Sequence, residues 1–378
     1  MERIPVSERK GWRRKLEEIG FTFHSAEGTY WDERACYAFS ADEVDRIEEA
    51  TEELHHLCLK AVDYVVKKGL YGRLGIPEQY APLIRSSWKR RDRSLYGRFD
   101  LSLGPRGELK LLEYNADTPT SLIEASIAQW TWLEEKFPDL DQFNSLHEKL
   151  LESFEQIRRE LGPTEPFYFS CVRDDEEDLV NLEYLRDLAL QAGLDARFIY
   201  MEEIGFSDET RRFCDLEEKE IRYLFKLYPW EWMMREPFGE KLLLDVVRWL
   251  EPPWKLILSG KGILPVLWEM APGHPHLLPA YFEPGRIKGP YVEKPLFARE
   301  GANVTFHEAW GPTLRTDGPY GAEGTIVQQT AELPCFDGHY AVIGSWIVGG
   351  RSAGMGIRED ETPITRDTSR FVPHFFYP

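Results

Sequence analysis

Asp100, Glu113 and Asn115 are residues whose types and spacing could do chemistry. Glu113 and Asn115 stand two apart in LKLLEYNADTPTS (109–121), which begins as an apolar strand, so side-chain alternation puts both on one face. The preceding YGRFDLSL (96–103) is a second alternating run. An even-residue turn at Pro105-Arg106 would bring Asp100 to the same face of a hairpin. Two carboxylates and a carboxamide are hard oxygen donors of the kind Mg²⁺ takes, with water and phosphate completing its octahedron. The same alternation also describes an ordinary solvated hairpin face, and the residues alone leave both readings open.

Arg98, two residues before Asp100, would sit beside this cluster, either holding a phosphate or carboxylate in its planar fork or pairing with Glu113. Thr118, Thr120 and Ser121 precede the expected helix SLIEASIAQW, where one hydroxyl serves as N-cap and the others could meet an anion. In YVEKPLFAREGANV, Lys294 ends a strand and Arg299, Gly301 and Asn303 follow in a loop able to wrap phosphates through backbone N–H groups. Lys261 in LSGKGILP offers a second cation; each lysine also reads as a solvated surface residue. GTIVQQTAEL could supply a strand edge for an adenine ring at Gln328 and Gln329, though by periodicity alone it is just a strand, and Arg358 lies beside Glu359 and Asp360, where a surface ion pair is the plainer reading. There is no GxSxG, no Walker A, no paired cysteine spacing and no histidine cluster, with His55-His56 on a helix and His274 and His276 in APGHPHLLP. Covalent catalysis has no support.

Elements must hold these residues in place. Ser40 with Glu43 makes a capping-box pattern, and Val44, Ile47, Leu54, Leu57, Ala61 and Val65 continue at helical spacing to Gly69. After the hairpin, helices are expected at about 121–136 and 141–161, the second opening with Ser145 and Glu148. FYFSCV, a helix near 178–192 closed by Gly193, and ARFIYM read as a strand–helix–strand unit, hence a parallel α/β lobe at about 165–250. From Trp254 onward, LILSGKGILPVLW, GPYVEKPLFAREGANV, GTIVQQTAEL and YAVIGSWIVGGRSAGMGIRED suggest an antiparallel-rich α+β lobe with short strands and a hairpin tip at Gly349-Gly350.

At 378 residues the chain is too long for one small module. Its net charge of −19 argues against nucleic acid and anionic membranes as partners, since both are met by Lys and Arg. The start MERIPVSERKGWRRKLEEIG has no apolar core of signal-peptide length, and the five cysteines are scattered; a cytoplasmic protein with reduced thiols is expected.

Taken in order, YGRFDLSL…LKLLEYNADTPTS, KGILPVLWE, YVEKPLFAREGANV, GSWIVGG and GIREDETPITRDTSRFVPHFF resemble the synthetase domain of glutathionylspermidine synthases and their stand-alone acid–amine ligase relatives. The resemblance runs over nearly the whole chain. It implies a circularly permuted ATP-grasp fold with a preATP-grasp lobe, divided as 1–164 (helical region and metal-binding hairpin), 165–250 (preATP-grasp α/β lobe) and 251–378 (nucleotide-binding lobe). It implies ATP and Mg²⁺ as cofactors, small-molecule acid and amine substrates, and amide formation through an acyl phosphate. Carried onto this chain, it makes Asp100, Glu113 and Asn115 metal ligands, Lys261 and Lys294 phosphate contacts, Arg299 to Asn303 a lid loop, and Gln328 to Thr330 the adenine strand. Arg98 and Arg358 become the groups neutralising the transferring phosphoryl, Thr118, Thr120 and Ser121 acid-substrate contacts, and Glu177-Asp178 the amine-receiving pair. Two departures stand out: no amidase domain is expected, and Thr118 and Thr120 flank Pro119 where the glutathione-binding member has serines. A catalytically idle ATP-binding adaptor or sensor, or a ligase for another peptide, remain the alternatives.

Overall fold

The computed structural model describes residues 1–26, 28–161, 164–308 and 314–377. The helix expected from Ser40 runs Ala41–Lys68. Ser40 Oγ accepts from Glu43 N–H, Glu43 reaches back to Ser40 N–H, and Gly69 ends the helix in a left-handed conformation. Its buried face, including Val44, Ile47, Leu54, Ala61 and Val65, packs on a six-stranded sheet and on two short helices.

That sheet joins distant parts of the chain. Its strand order is Arg370–Val372, Arg351–Asp360, His339–Val348, Tyr96–Leu103, Leu109–Asn115, with Cys335–Phe336 paired to His339–Val348, all antiparallel. The hairpin bearing Asp100 and Glu113 is therefore hydrogen-bonded directly to the strand bearing Gly344, which in turn pairs with the strand bearing Arg358. The tip between the latter two strands is Gly349-Gly350, as expected. A five-stranded antiparallel sheet carries Lys294 on Tyr291–Pro295 and Gln328 on Thr325–Gln329. Four parallel strands, Arg248–Leu250, Tyr223–Leu227, Pro166–Cys171 and Asp195–Phe198, form a separate sheet with the crossover helix Glu176–Gln191.

Three local expectations differ. LILSGKGILPVLW is helical: Leu256–Ser259 and Ile263–Met270 flank a bend at Gly260–Gly262, because its apolar residues bury all round rather than alternately. The second expected helix begins only at Leu146, since Ser145 turns its hydroxyl to Ala353 O instead. The helix after the hairpin starts with a π-turn, Glu124–Ala128, before Gln129–Lys136, and the N–H groups of Leu122 and Ile123 go to Asn181 Oδ1. A carboxamide from the parallel lobe thus meets the orphan donors, and the three hydroxyls before them are left for other partners.

Candidate active site

The hairpin reaches its geometry by a route other than an even turn. Its connection, 104–108, holds an odd number of residues, which pairs Leu103 with Leu109 and Leu101 with Leu111. Continued unchanged, that register would set Leu112 opposite Asp100 and turn Glu113 to the other face. A β-bulge between Leu101 and Asp100 absorbs Leu112, so Asp100 faces Glu113 and Arg98 faces Asn115. All four side chains then share one face.

They meet there. Asn115 Nδ2 lies 3.0 Å from Asp100 Oδ2 and 3.4 Å from Glu113 Oε1. Arg98 donates to both Asp100 oxygens, at 2.7 and 3.2 Å, and to Thr120 O at 2.6 Å, so it pairs with Asp100 rather than Glu113. Gly344 on the neighbouring strand makes room for it: a Cβ there would come within 2.8 Å of Arg98 Cδ. Lys261, held in its bend by a bond to Ala298 O at 2.6 Å, reaches Glu113 Oε2 at 3.0 Å. Burial alone would raise the Glu113 carboxyl, but Lys261, Lys294 and Arg98 outweigh it and bring it down to about 2. Lys294 donates to Leu112 O at 3.0 Å and Gln328 Oε1 at 2.9 Å, and burial pulls its ammonium down to about 8 despite Glu113. The bulge therefore also turns a carbonyl toward Lys294.

Asp100, Glu113, Lys261, Lys294, Gly301, Gln328 and Gln329 line a single open cleft, walled on its apolar side by Val292, Val304, Phe306 and Ile364. Such a wall suits a flat apolar face, and the two lysines suit an anion. Gly301 takes φ +67°, and a Cβ on it would come within 2.5 Å of Thr365 O. Asn303 is not turned to the cleft; its Oδ1 accepts from Tyr320 N–H and shapes the loop. Thr330 turns away too, directing both N–H and hydroxyl at Pro290 O.

Two adjoining recesses complete the site. Arg98, Ser121, Gly344, Gly356 and Arg358 line one, where Arg358 donates to the carbonyls of Arg366 and, at 3.0 Å, Asp367, and its buried Nε has no partner among the described residues. Arg358 is thus no surface ion pair with its neighbours Glu359 and Asp360, which bind Arg3 and Arg366 instead. Asn115, Thr118, Lys261 and Arg299 line the other; Arg299 donates to Thr118 Oγ1 and to Glu231, both at 2.7 Å.

Beside Arg358 the charge changes sign. Burial, opposed by Arg358, raises the Glu177 carboxyl, and burial with Asp175 and Glu177 pushes Asp178 up to about 8. Glu124, which the sequence reading passed over, is fully buried and lifted to about 8 by burial and then by Glu177. Ser121-x-x-Glu124 has capping-box spacing, the one signal that could have marked it. Asp117 was missed as well: it binds Lys226 of the parallel sheet at 2.5 Å and Trp230 N–H at 2.9 Å, fixing the Thr118–Ser121 segment between lobes.

The Asp100, Glu113 and Asn115 set fits a divalent cation in donor chemistry: two carboxylates, one of them kept ionised by its surroundings, and a carboxamide within hydrogen-bond reach of both. Its amide now turns Nδ2 to the carboxylates, and the oxygen is the third donor. Among the described residues no group of three or more His, Cys, Asp or Glu side chains forms a metal cluster, so this mixed set is the candidate.

A Haemophilus influenzae protein provisionally named an acid–amine ligase is 43% identical over 96% of both chains. Trypanothione synthetase of Crithidia fasciculata and the bifunctional glutathionylspermidine synthetase/amidase of Escherichia coli K12 are each 29% identical, over 85% and 89% of this chain. This chain spans 53% and 58% of the lengths of those two. In fold, it resembles a glutathione synthetase-like effector of Globodera pallida, with TM-score 0.63 and 10% identity over the whole of both chains. The sequence profile of glutathionylspermidine synthase preATP-grasp proteins matches residues 3–377, and the chain belongs to that family.

Proposed function

We propose that the protein is an ATP- and Mg²⁺-dependent ligase that joins the carboxylate of a glutathione-like peptide to a polyamine-like amine through an acyl phosphate. The observation that carries this reading is the meeting of the Asp100, Glu113 and Asn115 face with Lys261 and Lys294 in one cleft, next to Arg98 and Arg358. On this reading the fold is a circularly permuted ATP-grasp, with 165–250 as the preATP-grasp lobe between 1–164 and 251–378. The base packs on Val292, Val304 and Ile364 beside Gln328 and Gln329, and Lys261 and Lys294 hold the phosphates.

Asp100, Glu113 and Asn115 would hold Mg²⁺, which when bound neutralises charge on the phosphate oxygens. Arg98 and Arg358 are fixed by carboxylate and carbonyl partners, so they stabilise charge on the transferring group without reorganising. Thr118, Thr120 and Ser121 face the acid, and Arg299 orients Thr118. Glu177 and Asp178 receive the cationic amine, whose charge favours their ionised forms. No enzyme nucleophile is required.

The test is ADP release from purified protein with ATP and Mg²⁺ against a panel of peptide acids and amines beginning with glutathione and spermidine. Turnover should require both substrates, and ¹⁸O from the labelled acid should appear in the released phosphate. Bound ATP without turnover across the panel overturns the reading in favour of an idle nucleotide binder.

A further inference from the structure

Tyr30, Ser121 and Glu124 form a hydrogen-bonded chain leading from the cleft into the core. Ser121 lines the recess it shares with Arg98 and Arg358, and its Oγ lies 3.1 Å from Tyr30 Oη. Tyr30 donates to Glu124 Oε1 at 2.6 Å. Glu124 Oε2 is buried and has no partner among the described residues, a costly arrangement that packing alone does not call for. The backbone is unusual at both ends of the chain: Ser121 sits at φ +65°, and Glu124 opens the π-turn. Such departures concentrate at functional sites.

The direction of these bonds depends on one proton. With Glu124 ionised, Tyr30 donates to it and accepts from Ser121, whose oxygen then presents a lone pair to the cleft. With Glu124 protonated at Oε1, each bond reverses and Ser121 presents its proton instead. The groups facing Glu124 are Tyr30 from the N-terminal segment, Glu177 from the crossover helix and Arg358 from the six-stranded sheet. Burial and Glu177 place its titration near 8, where both directions are reachable at ordinary pH.

We propose that Ser121, Tyr30 and Glu124 are a proton relay that converts the incoming ammonium substrate into the amine that attacks the acyl phosphate. The relay rests on the ligase reading above. A proton leaves the ammonium for Ser121 Oγ as the Ser121 proton moves to Tyr30 and the Tyr30 proton to Glu124 Oε1. The free amine then forms the C–N bond, the C–O bond to phosphate breaks with its electron pair on phosphate, and the second nitrogen proton leaves as hydrogen phosphate. Glu124 returns its proton to water once product departs. Ser121 touches the substrate; Tyr30 and Glu124 act through it.

The experiment compares Tyr30→Phe and Glu124→Gln with wild type, using the acid and amine that turn over in the assay above and, in parallel, hydroxylamine, which is already unprotonated at neutral pH. Both variants should keep acid-dependent ¹⁸O exchange and the KM for ATP, which also shows that they fold. Amide formation with the ammonium substrate should fall by about 100-fold, the low end of general-base contributions, while hydroxylamine is used at nearly the wild-type rate. The acidic limb near pH 8 in the wild-type amide-forming rate should vanish in Glu124→Gln. Equal losses with hydroxylamine, or an unchanged pH profile, overturn the relay while leaving the ligase reading intact. Wild type without amine-dependent turnover overturns both.

Discussion

Replacing Asp117 by Asn should destabilise the protein by roughly 3–5 kcal/mol, the cost of leaving a buried charge without its partner. Lys226 and Asp117 are 0% and 1% exposed, and Lys226 has Asp117 at 2.5 Å as its ion-pair partner, with Tyr228 O at 2.9 Å, the Trp230 ring at 4.9 Å and the fields of Glu231 and Glu251 adding to the offset of its desolvation. An unfolding entropy of about 2.1 cal/mol/K per residue gives a chain of 378 residues about 0.8 kcal/mol/K, so Tm should fall by about 4–6 °C. Lys226→Met should cost a similar amount, because Asp117 then loses its ion-pair partner and keeps the Trp230 N–H bond and the more distant fields of Lys255 and Arg299. The double variant should recover most of the loss, since removing both charges removes the desolvation as well. Calorimetry and urea unfolding of the four proteins measure the cycle, and the KM for the acid substrate should rise in Asp117→Asn as the Thr118–Ser121 segment loosens. Single-variant shifts below 1 °C, or a double variant equal to the sum of the singles, would refute the view of this pair as the clamp between lobes.

Gly301→Ala should weaken ATP binding by about tenfold or more, because left-handed backbone costs roughly 1–2 kcal/mol for a residue with a Cβ and backbone, not a movable side chain, stands 2.5 Å away; titration calorimetry reads the affinity, and Tm should change little. ATP binding should take up a proton at pH 8–9 and none at pH 6.5, since phosphate restores the Lys294 ammonium that burial has lowered from 10.5 to about 8; binding enthalpies in two buffers of different ionisation heat measure this, and the uptake should disappear in Lys294→Met. Glu113 has its carboxyl depressed from 4.5 to about 2, so its stabilising contribution is complete above pH 4.5 and lost as pH falls toward 2. Glu113→Gln should therefore show a flatter acid-unfolding curve between those limits and lose the Mg²⁺ dependence of nucleotide affinity.

Local signals in the chain carried well where one segment determines its own structure. Ser40 with Glu43 marked a helix start that its own side chains enforce, and Gly349-Gly350 marked a tip that only the chain's own reversal requires. Alternation placed Glu113 and Asn115 together correctly but could not show how Asp100 joins them, since an odd connection and a bulge have the same parity as an even turn without one. LILSGKGILPVLW was read as extended because a continuous apolar run carries no period; only its burial between the long helix and the hairpin decides for helix. Asn181 as the cap of Leu122 and Ile123, and Lys226 as the partner of Asp117, belong to segments 58–59 and 109 residues away. No local pattern encodes such contacts. The site was legible as residue types and order, whereas its fixing in space rests on contacts that only the fold creates.

The distribution of charge around Arg358 follows from the same long-range assembly and bears on how two oppositely charged substrates could share one site. The six-stranded sheet and its neighbours bring Arg98, Lys261 and Lys294 together around the cleft and its recess, while the start of the crossover helix brings Glu177 into the field of Arg358 and Asp178 into that of Arg299. Arg358 lines the recess beside Arg98, holding carbonyls at Arg366 and Asp367 while lowering the carboxyls of Glu177 and Glu124 against their burial. An anion arriving beside Arg358 would take up part of its field and let those carboxyls rise, whereas a cation arriving among them would restore their charge. Each substrate therefore alters the electrostatic cost of seating the other. On this account Arg358→Lys, which keeps the charge but loses the planar fork, should preserve some coupling between acid and amine binding, and Arg358→Gln should abolish it. Amine affinity measured with and without a bound non-reactive ATP analogue and the acid decides the point: coupling unchanged in Arg358→Gln removes Arg358 as the link.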